Sequence, residues 1–212
     1  YLWPGFLKGY LYTVAGFDIY ASWLIVAILV AFCIMLINIV GAKTAAKLQT
    51  ILTIIIGGAG ILLIVASVIN GTVDNLDGQM FAEVGGGGIV KSILSVAVIS
   101  PFYLIGFDVI PQAAEEYSFS HKAALGLMIG AILVGGLIYS TMVFVTAVVD
   151  PWQAMLASNP DWATGEMILK NIGYVGVFFC GIAMLCAVVS GINGFYMASS
   201  RLIYSMAYAD AL

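Results

Sequence analysis

Charged residues cut this chain into long stretches that contain none. Asp18 to Lys43, Lys47 to Asp74, Lys122 to Asp150 and Lys170 to Arg201 each bound such a stretch, and the residues between them are dominated by Ile, Leu, Val, Ala and Gly. A helix rising about 1.5 Å per residue needs about 20 apolar residues to cross a hydrocarbon layer of about 30 Å. Each stretch therefore predicts a spanning helix. The gap from Lys91 to Asp108 is short for a crossing. It completes a span only if Asp108 and the mixed Val109–Ala114 segment after it are included. The pattern predicts five spans, at about residues 20–42, 48–70, 89–116, 122–149 and 171–198, with the third broken near residue 106.

The interrupted span reads Ser100-Pro101-Phe102-Tyr103-Leu104-Ile105-Gly106-Phe107-Asp108-Val109-Ile110-Pro111-Gln112. Proline lacks a backbone donor and crowds the preceding turn, and glycine has no Cβ to favour helical geometry. Two prolines flanking Gly-Phe-Asp predict that the helix breaks near Gly106. A break at membrane depth frees backbone groups that lipid cannot satisfy, so it is tolerated only where it is buried in protein or faces a wet cavity. Secondary transporters build midplane substrate sites from such breaks. The alternative is a proline kink packed against its neighbours.

Composition supports a membrane protein. Of the 212 residues, 63% are hydrophobic and 8% charged, with a mean hydropathy of +1.11; soluble domains carry about 25% charged residues. The net charge of −4 sits at span ends, and no basic run points to nucleic acid. Cys33, Cys180 and Cys186 lie inside apolar runs without a Cys-x-x-Cys or Cys/His grouping, which argues against disulfide and metal frameworks. No cofactor is expected beyond a coupling ion, H+ or Na+. The chain opens on Tyr1 and closes on Asp210-Ala211-Leu212 directly after an apolar run. We read it as an internal piece of a longer protein, so further spans are expected partners, alongside membrane lipid.

Residues 1–20 read as an interfacial loop anchored by aromatic residues. The 71–91 segment, with Asp74, Asp77, Glu83 and a glycine run, reads as irregular, and the 150–170 loop offers a short helix around Glu166. Lys43, Lys47, Lys122 and Arg201 fall on one side, assigned as cytoplasmic, against Lys8, Lys91 and Lys170 on the other.

Asp108 has three readings: coupling or gating, support of the helix break, and interfacial exposure. Glu115 and Glu116 read as solvated end charges, and His121 carries no catalytic role. In the last span, Ser190-Gly191-Ile192-Asn193-Gly194 places polar groups at depth, suited either to a sodium site or to interhelical hydrogen bonds. The freed backbone around Phe102–Gly106 offers carbonyls for an ammonium or N–H groups for a carboxylate.

Three segments resemble the amino acid permeases of the amino acid-polyamine-organocation superfamily. Pro101 to Asp108 followed by Ala113-Ala114-Glu115-Glu116 is similar to that family's sixth span. Asn193 to Ala207 is similar to the end of its eighth. Gly41-Ala42-Lys43 through Lys47-Leu48-Gln49 is similar to the junction of spans four and five. The resemblance implies an all-α integral membrane bundle, part of a 5+5 inverted-repeat transporter fold with a broken sixth span. It implies substrate contacts at Phe102, Tyr103, Ile105, Gly106 and Phe107, and coupling or gating roles for Asp108, Ser190 and Asn193. Some proton-coupled relatives carry a lysine where this chain has Ile56, which leaves the driving ion open, and many relatives have arginine where Tyr208 stands. The broken first span that supplies the other half of such a site lies outside these residues.

The expectation is a secondary transporter of amino acids or small amines in the plasma membrane, working by alternating access. The alternative is a channel or scaffold in which the break shapes a vestibule. An enzyme is not expected: Asp108 has no second intramembrane acid beside it, and no histidine is buried in a span.

Overall fold

A computed structural model of the chain describes residues 4–76, 86–107, 109–112, 120–157 and 162–210. After a short 3-10 turn at Pro4–Phe6, strands β1 (Tyr10–Val14) and β2 (Phe17–Tyr20) are followed by helices α1 (Ala21–Val40), α2 (Ala42–Asn70), α3 (Gly86–Tyr103) and α4 (Val109–Gln112). Then come α5 (His121–Val149), α6 (Trp152–Ala157), α7 (Ala163–Asn171) and α8 (Tyr174–Tyr208). Four of these helices, α1, α2, α5 and α8, are long and apolar enough to cross a membrane. Only 6% to 17% of the residues in their most apolar stretches are buried. A water-soluble fold could not leave so much aliphatic surface uncovered; lipid can.

The chain forms two compact units, one of Tyr1–Ile54 with Met184–Leu212 and one of Ile55–Ala183. In the first, α1 turns into α2 through Gly41 alone, whose φ of +137° is a backbone state that side-chain-bearing residues avoid. Thr44 and Ala45 then donate to the Gly41 carbonyl at 3.0 and 3.2 Å, which opens α2 at once. Lys43 and Lys47, expected between the spans at 20–42 and 48–70, are thus in the first turns of α2. The 29 residues of this helix extend roughly 43 Å, more than the hydrocarbon needs, so its charged end reaches the interface. The interior of this unit is small: among the described residues, Ile34, Ala45, Leu52, Asn193 and Ala198 are buried.

Residues 10–20, expected as a loop, are an antiparallel hairpin. The chain is therefore mostly rather than wholly helical. Val14 and Phe17 face each other across a two-residue turn in which Ala15 and Gly16 both have positive φ, 51° and 86°. That turn twists with the strands and closes a tight hairpin.

In the second unit, α6 and α7 fold against the ends of the long helices. Leu63, Met155, Met167, Ile168 and Val177 form a buried cluster, with Met142, Trp162 and Ile172 packed around it. The exit of α2 is clamped to the end of α5. Thr72 N–H and the Asn75 amide both donate to the Val148 carbonyl at 2.8 Å, satisfying one of the acceptors a helix end leaves over. A Cβ on Gly71 would sit 2.9 Å from a Val148 methyl, so this approach is open only to glycine. The Lys170 ammonium pairs with the Asp150 carboxylate. Of the 71–91 segment, Val73–Leu76 is a 3-10 turn and α3 already begins at Gly86; residues 77–85 lie outside the described residues.

Candidate functional site

The α3 helix runs through Pro101 and ends at Tyr103. Proline at position 101 cannot donate to the carbonyl four residues back, that of Ala97. The Ser100 hydroxyl donates there instead, at 3.0 Å. The helix thus survives its first proline because the neighbouring side chain supplies the missing hydrogen bond. Leu104 N–H is shared between the carbonyls of Ser100 (3.2 Å) and Pro101 (3.3 Å), the bifurcated geometry of a tightening helix end.

Leu104–Phe107 is a turn. Gly106 has φ +121°, and a Cβ there would meet nothing within 4 Å. Backbone conformation, not crowding, is what calls for glycine. The chain then re-enters a helix in short steps, Val109 N–H to Gly106 O and Ile110 N–H to Phe107 O, both 3.2 Å. The latter supplies the Phe107 carbonyl with the partner that Pro111, four residues on, cannot provide. Asp108 lies outside the described residues.

The side chains around this turn are open. Phe102 is 73% exposed, Tyr103 60% and Ile105 54%. The Phe102 and Tyr103 rings meet edge to face at 6.1 Å, and Tyr103 leans on Tyr139 of α5 at 6.2 Å. One turn earlier on α5, Leu104 lies over Gly135, its Cδ2 at contact distance, 3.6 Å, from where a Cβ would stand. The turn is thus braced on one side by α5 through Tyr139 and Gly135.

A second polar feature joins α1, α2 and α8. Asn193 is fully buried. Its Oδ1 accepts from Asn38 Nδ2 at 2.9 Å, and its Nδ2 donates to the Ala45 carbonyl at 3.2 Å and to Gln49 Oε1 at 3.1 Å. Gln49 Nε2 donates in turn to Ser190 Oγ at 2.6 Å, and Asn38 Nδ2 also reaches the Ile34 carbonyl at 2.9 Å. Ser190 and Asn193, one turn apart on α8, are brought together. Sequence reading missed Asn38 and Gln49; the available signal was an amide inside an otherwise apolar run on each of two neighbouring spans. The turn belongs to one compact unit and this cluster to the other.

A family model of amino acid permeases matches residues 4–212. The chain belongs to the amino acid permease family. No curated protein and no solved structure matches it. As a permease, it is a transporter and not an enzyme, and its long apolar helices are those of a multi-span membrane protein.

Proposed function

We propose that this permease moves amino acids or small amines across the plasma membrane as a secondary transporter, by alternating access, and that the turn after α3 is half of its substrate site. The observation that carries this reading is an apolar helix that stops at Tyr103, turns at a positive-φ glycine and resumes at Val109. The carbonyls of a helix's last turn point beyond its C-terminus and carry the negative end of its dipole. A substrate ammonium placed there meets acceptors without a charged side chain. Phe102, Tyr103, Ile105 and Phe107 would then line the pocket, Gly106 would let the backbone approach, and the open Phe102 ring would gate it.

Asp108 is the candidate coupling group, with H+ or Na+ as the driving ion. For Asn193 the hydrogen bonds support a positioning role: its carbonyl oxygen already accepts from Asn38, and both of its amide protons are committed. Ser190 contributes through Gln49. The full set of spans would follow the 5+5 inverted-repeat plan, with the third predicted span as its broken sixth.

The test is counterflow in proteoliposomes with the complete reading frame and a panel of labelled amino acids and amines. Saturable exchange of one or a few of them supports the proposal. Non-saturating flux would establish a channel instead, and no flux from folded protein would reject amino acids and amines as the cargo.

A further inference from the structure

The two faces of the hairpin before α1 differ. Tyr12 stands opposite Ile19 and Val14 opposite Phe17, so these four apolar side chains share a face. Thr13 and Asp18, the pair between them, point to the other. There the Thr13 hydroxyl donates to Asp18 Oδ1 at 2.6 Å, and the Tyr10 hydroxyl lies 2.9 Å from Thr13 Oγ1. The polar face is internally satisfied. Most of the apolar face is uncovered: Tyr12, Val14 and Phe17 are exposed, Phe17 by 72%, and Ile19 is half-buried. A lone two-stranded hairpin is marginal in water unless its apolar face is packed against something.

The hairpin's position indicates what that is. Its base is tied to the first turn of α1: Ala21 N–H donates to the Gly9 carbonyl (2.7 Å), Ser22 N–H to the Lys8 carbonyl (3.2 Å) and Lys8 N–H to Ser22 Oγ (3.1 Å). Strand β2 ends at Tyr20 and α1 begins at the next residue. The α1 surface is almost wholly uncovered, with 6% of its most apolar stretch buried, and in a multi-span membrane protein such a helix lies in the hydrocarbon layer, against acyl chains or other spans. The apolar hairpin face therefore begins where that surface ends, at the depth where Tyr20 and Trp23 stand at the head of α1. Tyrosine and tryptophan favour this headgroup depth because they pair an apolar ring with a polar atom.

We propose that the Tyr12–Val14–Phe17–Ile19 face rests on the phospholipid surface at the boundary of headgroups and acyl chains, and that this contact fixes the depth at which α1 enters the bilayer. Thr13, Asp18 and the Lys8 ammonium then stay on the water side. The inference does not depend on what the permease carries.

Replacing Phe17 with the photoreactive p-benzoylphenylalanine in the full chain, reconstituted in phosphatidylcholine vesicles, tests it. At so exposed a position the bulkier ring is tolerated. Irradiation should yield phospholipid adducts at position 17, several-fold more than from the same residue placed at Thr13. Adducts to protein at position 17 would show that another segment covers the face. No adduct, or equal lipid labelling at positions 13 and 17, would show a hairpin standing in water or lacking a preferred face. Any of these three outcomes overturns the proposal.

Discussion

The Ser100 hydroxyl donates 3.0 Å to the Ala97 carbonyl, the acceptor that the missing N–H of Pro101 leaves behind. Removing the hydroxyl strands that carbonyl. An unsatisfied buried polar group costs about 1–3 kcal/mol, so Ser100→Ala should lower the thermal midpoint of the full-length permease in detergent by several degrees. The diagnostic measurement is the double-mutant cycle. In a Pro101→Ala background the backbone N–H is restored, and Ser100→Ala should then cost little. Equal losses in both backgrounds would refute the compensation.

Gly106 leads to a prediction that separates conformation from space. Its φ of +121° lies where a Cβ is strained, yet nothing lies within 4 Å of one. Strain of this kind costs about 1–3 kcal/mol. Gly106→Ala should reshape the turn and cut counterflow about tenfold, the effect of about 1.4 kcal/mol on the transport-competent state. Gly126 is the control: it is helical, equally uncrowded, and lacks the positive φ. Gly126→Ala should leave transport intact and raise stability by about 0.5–1 kcal/mol. If both variants behave alike, the turn geometry is not what transport needs.

Much of this fold could be read from where charges fall, because lipid excludes them and the apolar runs between them mark membrane depth. Helix ends could not. Charge gaps report hydrocarbon limits, whereas Lys43 and Lys47 lie inside α2, and the glycines from Gly86 are inside α3. Glycine disfavours a helix by about 1 kcal/mol, but in lipid every backbone group must find its partner within the chain, so helices run past their propensity. The turn at Gly106 was legible because proline and glycine act locally. The compensation by Ser100 was within reach too, one residue from the proline that requires it. The Asn38–Asn193 pair was not, because its members are 155 residues apart and one sequence does not record which amide faces which.

That pair can be measured directly. Asn193 joins three helices, and interhelical hydrogen bonds in membranes average about 0.6 kcal/mol with a maximum near 1.7. Asn193→Ala would also leave the Ala45 carbonyl without its 3.2 Å donor and Gln49 Oε1 without its 3.1 Å donor. The single variant should therefore lose about 1–3 kcal/mol. A cycle of Asn38→Leu with Asn193→Leu should show coupling of about 0.5–1.7 kcal/mol. Sodium dependence of uptake should be unchanged in Asn193→Ser. A lost or shifted sodium dependence without destabilisation would make Asn193 an ion ligand rather than a positioning residue.

Asp108 is the one acid in the Ser100–Gln112 stretch, and an acid within a spanning segment is costly unless it serves an ion or substrate path. If it carries the coupling proton, lower pH favours its protonated form, and proton-driven uptake rises as pH falls. Asparagine keeps the shape and polarity but cannot titrate. Asp108→Asn should therefore flatten the pH profile of gradient-driven uptake while sparing counterflow, which needs substrate exchange but no net proton movement. Loss of both activities would place the carboxylate in substrate binding or in support of the turn. An unaltered pH profile with full uptake would remove it from coupling and point to sodium or obligatory exchange. Comparing the two assays on one variant separates these cases, because substrate affinity enters both and the proton gradient only one.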